Sequence, residues 1–187
     1  MTNLMGCAML SPRKGRAISP KPENLDSKSL MTTYQLLREQ TISRPLEEVF
    51  TFFADAKNLE TLTPRWLNFE ILTPGRIPMQ AGAIIQYALR LRGIPINWTT
   101  SIAVWNPPFE FVDVQLHGPY VLWHHRHTFE SIGNNTRMTD EVHYRLPFGW
   151  IGNAAHSLMV RRDLQMIFDF RQRTIDEIFA RDHQRPR

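Results

Sequence analysis

An α+β fold, with a curved antiparallel sheet of about seven strands closed over one long C-terminal helix, is predicted for this 187-residue chain by three observations. Between residues 69 and 146 the sequence breaks into six strand-like runs, each ended by Pro or Gly. After residue 151 the apolar spacing changes from alternation to the helical period. A strong helix start directly follows the first strand-like run.

The run TYQLLREQTI (33–42) has the Tyr and aliphatic content of a first strand. Ser43 and Arg44 then lead into Pro45, Glu47 and Glu48. Proline fits the first helical turn, and acids suit its positive end. Leu46, Val49, Phe50 and Phe53 form the buried face of this short helix, and residues 58–62 make a second one that Pro64 stops. The strand runs follow: FEIL, IIQYALRLRG, INWTTSIAVW, FEFVDVQLHG, VLWHHRHTFES and TRMTDEVHYRL. Turn signals at Pro74–Gly75, Gly93–Pro95, Pro107–Pro108, Gly118–Pro119 and Gly133–Asn135 join them into an antiparallel meander. From residue 151 to 180, Leu164, Ile167, Phe168, Ile175, Ile178 and Phe179 repeat at helical spacing, giving a helix of up to about eight turns, long enough to cross a large sheet. A strand, two short helices, six strands and a long final helix is the order of the helix-grip fold, which leaves a cavity between sheet and last helix.

The charges sit mainly outside this body. Of the net +4, residues 1–30 supply +3 and residues 181–187 supply +2, so residues 31–180 carry −1. A near-neutral body offers no basic face to a phosphate backbone, and nucleic acid is not expected as a partner. The proline-rich, polar residues 1–30 are expected to be a disordered basic tail, residues 31–180 the folded domain, and residues 181–187 a second basic tail. The one cysteine, Cys7, lies in the first tail and excludes an internal disulfide. The segment LMGC (4–7) superficially resembles a lipoprotein cleavage site, but only six residues precede the cysteine and the basic cluster follows the apolar stretch, so export is discounted and a cytoplasmic location is expected. Met31 as the true start and a transit segment in residues 1–30 remain alternatives. No run is long enough to span a bilayer, and transient contact with a membrane surface is left open.

Strand side chains alternate faces, so the more apolar set of each run is assigned inward. This places Ile85, Tyr87, Leu89 and Leu91 inside, with Ile96, Trp98, Thr100, Ile102 and Val104 from the next strand. In GPYVLWHHRHTFE (118–130) the odd set Trp123, His125, His127 and Phe129 goes in and His124 out. In the last strand Met138, Asp140, Val142 and Tyr144 go in. FEFVDVQLHG stays ambiguous, with Val112, Val114 and Leu116 set against Phe109, Phe111, Asp113, Gln115 and His117. An inward imidazole needs a hydrogen-bond partner or costs roughly 1–3 kcal/mol in desolvation. Asp140, on an adjacent strand and the same face, is the nearest partner for His125 and His127. A satisfied core pair and a ligand-contacting pair both fit this pattern.

The segments LETLTPRWLNFEI, INWTTSIAVWNPPFEFVDVQLHGPYVLWHHRHTF, DEVHYRLPFGWIG and IFDFRQR, within residues 33 to 180, resemble the SRPBCC proteins of the START and Bet v 1-like superfamily, in the branch described as polyketide cyclase or coenzyme Q-binding-like. The resemblance implies a hydrophobic cavity with ligands ranging from lipids and quinones to polyketides. It also implies that Asp113 and Gln115 face that cavity, because the position of Val114 is freely polar in that branch.

The expected function is binding or transport of a hydrophobic or amphipathic small molecule. The expected contacts are Tyr87, Trp98, Phe111, Asp113, Gln115, Tyr120, Trp123, His125, His127, Phe129, Asp140 and Tyr144. Two alternatives stand beside it. One is a cyclase or dehydratase using His125, His127 and Asp140 or Asp113 for acid–base steps, since a buried His beside a carboxylate can be tuned toward neutrality. The other is a protein-interaction role, because the resembled branch has been labelled as related to cell division. Nucleophilic and phosphate-loop motifs are absent. His125 and His127, roughly 6–7 Å apart along one strand face, could share an ion with Asp140 or Asp113, but two strand histidines among aromatics are weak grounds. Neither a metal nor a cofactor is expected. Met159 and Met166 are read either as a yielding cavity lid or as core filler.

Overall fold

The structure is a computed structural model that describes residues 32–148, 154 and 159–181. The expected basic tails, apart from the helix end at Arg181, and the first turns expected for the final helix lie outside these residues. Seven strands form one antiparallel sheet: β1 (Thr33–Ile42), β2 (Glu70–Ile71), β3 (Ile84–Leu91), β4 (Ile94–Asn106), β5 (Glu110–His117), β6 (Leu122–Ile132) and β7 (Asn135–Arg145). The spatial order is β1-β7-β6-β5-β4-β3-β2. Helices α1 (Leu46–Phe53) and α2 (Asn58–Thr61), with a 3-10 turn at Arg65–Leu67, carry the chain from one sheet edge to the other. The meander then returns strand by strand until β7 pairs with β1. Helix α3 (Arg161–Arg181) packs across the concave face. No helix among the described residues is long and apolar enough to cross a membrane.

The alternation in β6 and β7 translates directly into burial. His125, His127, Phe129, Met138, Asp140, Val142 and Tyr144 are all buried. Alternation fails at one residue of β4. Val104 was assigned inward, yet it is 41% exposed, because the β4–β5 register shifts between Ile102 and Val104. The extra residue of that bulge inverts the parity beyond it. Trp105 turns in instead and packs against Phe50 and Phe111. In β5 the facing implied by the resemblance holds for Phe111 and Asp113, which line the interior, while Leu116 is 59% exposed. Met159 and Met166 are each 40% exposed, outside both core and cavity lining.

Two apolar clusters fix α3 on the sheet. Phe50 and Phe53 of α1 meet Phe129, Met138, Ile175 and Phe179 at one end. Leu36, Val142 and Tyr144 meet Leu164 and Phe168 at the other. The β3–β4 turn adds a polar tie. Arg92 (φ 51°) and Gly93 (φ 85°) form a two-residue hairpin turn with both residues left-handed. The Arg92 guanidinium donates from Nε and Nη2 to the Asp163 carboxylate, 2.9 Å each, in the first turn of α3. Arg92 is half exposed, so the pair positions the helix end more than it stabilises it.

The β5–β6 connection depends on a glycine for space. Gln115 folds back across the turn, donating from Nε2 to Tyr120 O at 2.6 Å and accepting from Tyr120 N at 3.3 Å. A Cβ on Gly118 would collide with that side chain. Gly118→Ala is therefore expected to cost about 1–3 kcal/mol, read as a lower melting midpoint. In a Gln115→Ala background the part of the cost due to the collision should disappear while the backbone part at φ 159° stays, and a double-mutant cycle by thermal melts checks the coupling.

Candidate functional site

Between the two apolar clusters the sheet and α3 enclose a cavity of about 200 Å³. Its walls are mainly apolar, from Ile85, Leu89 and Ile96 of the sheet to Leu164, Ile167 and Phe168 of the helix. Aromatic rings form one side. Trp98 lies 5.3 Å from Trp123 between ring centroids and 5.9 Å from Tyr87, with Tyr120 packed on both tryptophans. The Trp98 indole Nε1 is buried and has no hydrogen-bond partner. Tyr87 shares a 3.2 Å hydrogen bond with Thr100, and burial pushes the hydroxyl pKa of Tyr87 and Tyr120 upward, keeping both neutral.

Strand pairing assembles a polar end next to these rings. Residues directly across an antiparallel ladder share a face. Asp113 pairs with His125, Phe111 with His127, and His127 with Asp140. The three strands thus place two carboxylates and two imidazoles in a row on the concave face. Arg171 of α3 descends onto that row, its Nε 3.4 Å from Asp140 Oδ2.

All four imidazole nitrogens face carboxylate oxygens. His125 Nε2 is 3.1 Å from Asp140 Oδ1 and its Nδ1 3.4 Å from Asp113 Oδ2. His127 Nε2 is 3.0 Å from Asp113 Oδ2 and its Nδ1 2.7 Å from Asp140 Oδ1. The two rings are 3.8 Å apart between centroids, so both cannot be charged at low cost. Burial disfavours charge on His127, but Asp140 and Asp113 outweigh it and raise its pKa. Burial and the neighbouring His127 charge lower that of His125. Burial would raise both carboxyls; the histidines and Arg171 more than offset it, leaving Asp113 below and Asp140 well below the ordinary range. With Arg171 and His127 charged and His125 neutral, the cluster carries no net charge. Its cations also meet aromatic faces, His127 stacking 4.1 Å from Phe111 and Arg171 lying 5.4 Å over Phe53.

Of the twelve contacts expected from sequence, Tyr87, Trp98, Phe111, Asp113, Tyr120, Trp123, His125 and His127 line the cavity. Four face inward without reaching it. Gln115 is turned to the Tyr120 backbone, and Phe129 is packed under Phe50 and Phe53. Tyr144 is covered by Tyr120 and Trp123, and Asp140 lies beneath the imidazoles it contacts. His124 points to the other face, beside His143. Arg171 was not anticipated. It occupies the gap between Phe168 and Ile175 in the apolar stripe of α3, and a basic residue filling such a gap opposite two inward aspartates is the signal that marks it.

Asp140→Asn leaves a buried cationic excess and is expected to cost about 3–5 kcal/mol. His124→Ala, on the outer face, should stay within about 0.5 kcal/mol of wild type. The pH dependence has two signs. His127, its pKa raised by folding, stabilises below its unfolded value of about 6.5, a contribution lost as pH rises through the folded value. Asp113 and Asp140, depressed by folding, stabilise above about pH 4, a contribution lost as pH falls through their folded values. Thermal melts between about pH 3 and about pH 9 should show both limbs in wild type and a reduced acid limb in Asp140→Asn.

The arrangement can be set beside known proteins. The ZhuI aromatase/cyclase from Streptomyces sp. R1128 superposes with a TM-score of 0.66 at 14% identity, over 82% of this chain and 97% of that one. TTHA0849 from Thermus thermophilus gives 0.60 at 18% identity over 80% and 99%. The ginseng major latex-like protein 151 from Panax ginseng gives 0.59 at 11% over 79% and 97%. At these identities the likeness is one of fold. No curated protein matches the chain in sequence. A family profile, however, matches residues 42–170, which include both short helices, every strand from β2 to β7 and the first half of α3, and on that match the chain belongs to the polyketide cyclase / dehydrase and lipid transport family.

Proposed function

We propose that the chain binds and carries a compact, oxygen-bearing apolar molecule, of lipid, quinone or polyketide-like character, between its sheet and α3. The observation that carries this reading is a mainly apolar cavity with one polar end, formed by Asp113, His125, His127 and Arg171. The Trp98 ring lines it too, and its buried Nε1 lacks a partner; a turn of the ring that brings this donor to a ligand oxygen relieves the about 1–3 kcal/mol that an unpartnered buried donor costs. Family membership supports the apolar character of the ligand. Size narrows the class. At about 200 Å³ the cavity is smaller than the roughly 300–1,000 Å³ of sites for drug-sized ligands, so it suits a small ring system or one segment of a longer molecule.

A second reading, proton transfer of the cyclase or dehydratase kind, is favoured by one observation. His127 lines the cavity, and its protonated form is held by Asp113 and Asp140. A ligand oxygen at that end would meet a proton donor flanked by a neutral imidazole that can accept one. Carriage needs only the hydrogen bonds, and it remains the preferred reading.

Naphthol and naphthalene, titrated against intrinsic tryptophan fluorescence, separate oxygen recognition from simple apolar fit. Naphthol is expected to bind more tightly, by the roughly 0.5–1.5 kcal/mol of a hydrogen bond, and Trp98→Phe should erase most of that preference. Equal affinity of the two probes for wild type would sink the reading. For the second reading, conversion of a polyketide-type substrate by wild type that drops about 10²–10⁴-fold in His127→Gln while binding persists would replace carriage with catalysis.

A further inference from the structure

We propose that Asp113, His125 and His127 form a binding site for one divalent first-row transition-metal ion of the zinc or ferrous class, with open coordination positions facing the cavity. The inference rests on the geometry of the cluster and stands apart from the identity of any organic ligand. One donor atom from each of the three residues lies within 4.8 Å of the others. Asp113 Oδ2 is 3.0 Å from His127 Nε2 and 3.4 Å from His125 Nδ1. Adjacent donors around an ion with bonds near 2.1 Å are separated by about 3.0–3.5 Å, so both separations from Asp113 Oδ2 match the edges of a coordination polyhedron.

Hydrogen bonding points the same way. His127 Nε2 meets Asp113 Oδ2 and His125 Nε2 meets Asp140 Oδ1 with hydrogen-bond geometry, while Arg171 Nη2 lies 3.4 Å from His127 Nδ1. An ion on the Asp113 side would take the place of the one proton between His127 Nε2 and Asp113. His125 Nε2, at 3.1 Å, and His127 Nδ1, at 2.7 Å, would still turn to Asp140. A carboxylate that receives the remote N–H of metal-bound histidines is the usual partner that orients them. Arg171 balances the charge of Asp140 and leaves the Asp113 carboxylate for the ion.

Two histidines and one carboxylate suit zinc or ferrous iron, and three protein ligands leave room for an exogenous one. Asp113, His125 and His127 line the cavity and Asp140 does not, so the open positions face the space a small molecule enters. The ligand class is an oxygen donor, such as a carbonyl, enolate or phenolate. The sequence expectation of no metal weighed His125 and His127 with one aspartate; it did not include both aspartates, one on each side of the ring pair.

The test uses the full 187-residue chain, freed of metal with a chelator and titrated with Zn²⁺ alone or with Co²⁺ as a coloured probe. One equivalent is expected to bind, with visible Co²⁺ absorption of a low-coordinate site. Affinity should fall at least about 100-fold in Asp113→Asn and in His127→Gln, about 10–100-fold in Asp140→Asn, and not at all in the outward His124→Ala/His143→Ala pair. Histidine-ring NMR of wild type guards against misfolded variants: Zn²⁺ should shift the His125 and His127 resonances and leave His124 and His143 in place. No stoichiometric binding by wild type, shifts confined to the outward pair, or affinity that survives both Asp113→Asn and His127→Gln would overturn the proposal. The naphthol and naphthalene titrations are run on the metal-free protein, so the two readings fail separately.

Discussion

Two aspartates point into the concave face of an otherwise apolar sheet, and the fold works only because cations meet them there. Asp113 and Asp140 are brought into line with His125 and His127 by strand register, while Arg171 arrives from the helix that closes the face. An uncompensated carboxylate in this position would oppose the docking of α3. A charge-balanced cluster permits it and gives the cavity one polar end. The same cluster links sheet to helix across the centre of the molecule, where the two apolar clusters leave a gap.

The remainder of the site follows from what surrounds that end. The aromatic side of Trp98, Trp123, Tyr87 and Tyr120 lines the cavity beside the cluster and holds one buried indole N–H without a partner. A ligand with a flat apolar body and an oxygen satisfies both features. The Gln115–Tyr120 clamp and the Arg92–Asp163 pair hold the boundaries of this space, one at the β5–β6 turn and one at the start of α3. Neither touches the cluster, and both restrict the segments that frame the cavity.

Much of this was legible in the sequence, because alternation in β6 and β7 is strict and both strands have one polar face. The order of elements was likewise legible from the change of period after residue 151. Legibility ended where local geometry departs from the simple period. The β4 bulge that exposes Val104 leaves no mark in an alternating run. In β5, Val112 on the outer face is 3% exposed while Phe111 on the inner face is 6% exposed, so apolar content could not choose between faces, and the resemblance did. Facing also does not distinguish a residue that borders a void from one that fills core. Phe129 and Tyr144 point inward but are covered by neighbours. Arg171 was hidden because a single charge in a charged helix is unremarked until the carboxylates opposite it are known.

The central claim is that a ligand oxygen enters the cavity and is received by the Trp98 indole beside the His–Asp end. The most direct measurement is a ¹⁵N spectrum of the labelled protein during a naphthol titration. It follows the five indole N–H signals together with the buried imidazoles. The account predicts that the Trp98 N–H moves downfield and becomes protected from exchange, with accompanying shifts at His125 and His127 and none at His124 or His143. Saturable binding that leaves the Trp98 signal unmoved, or that perturbs the outer histidines instead, would contradict it.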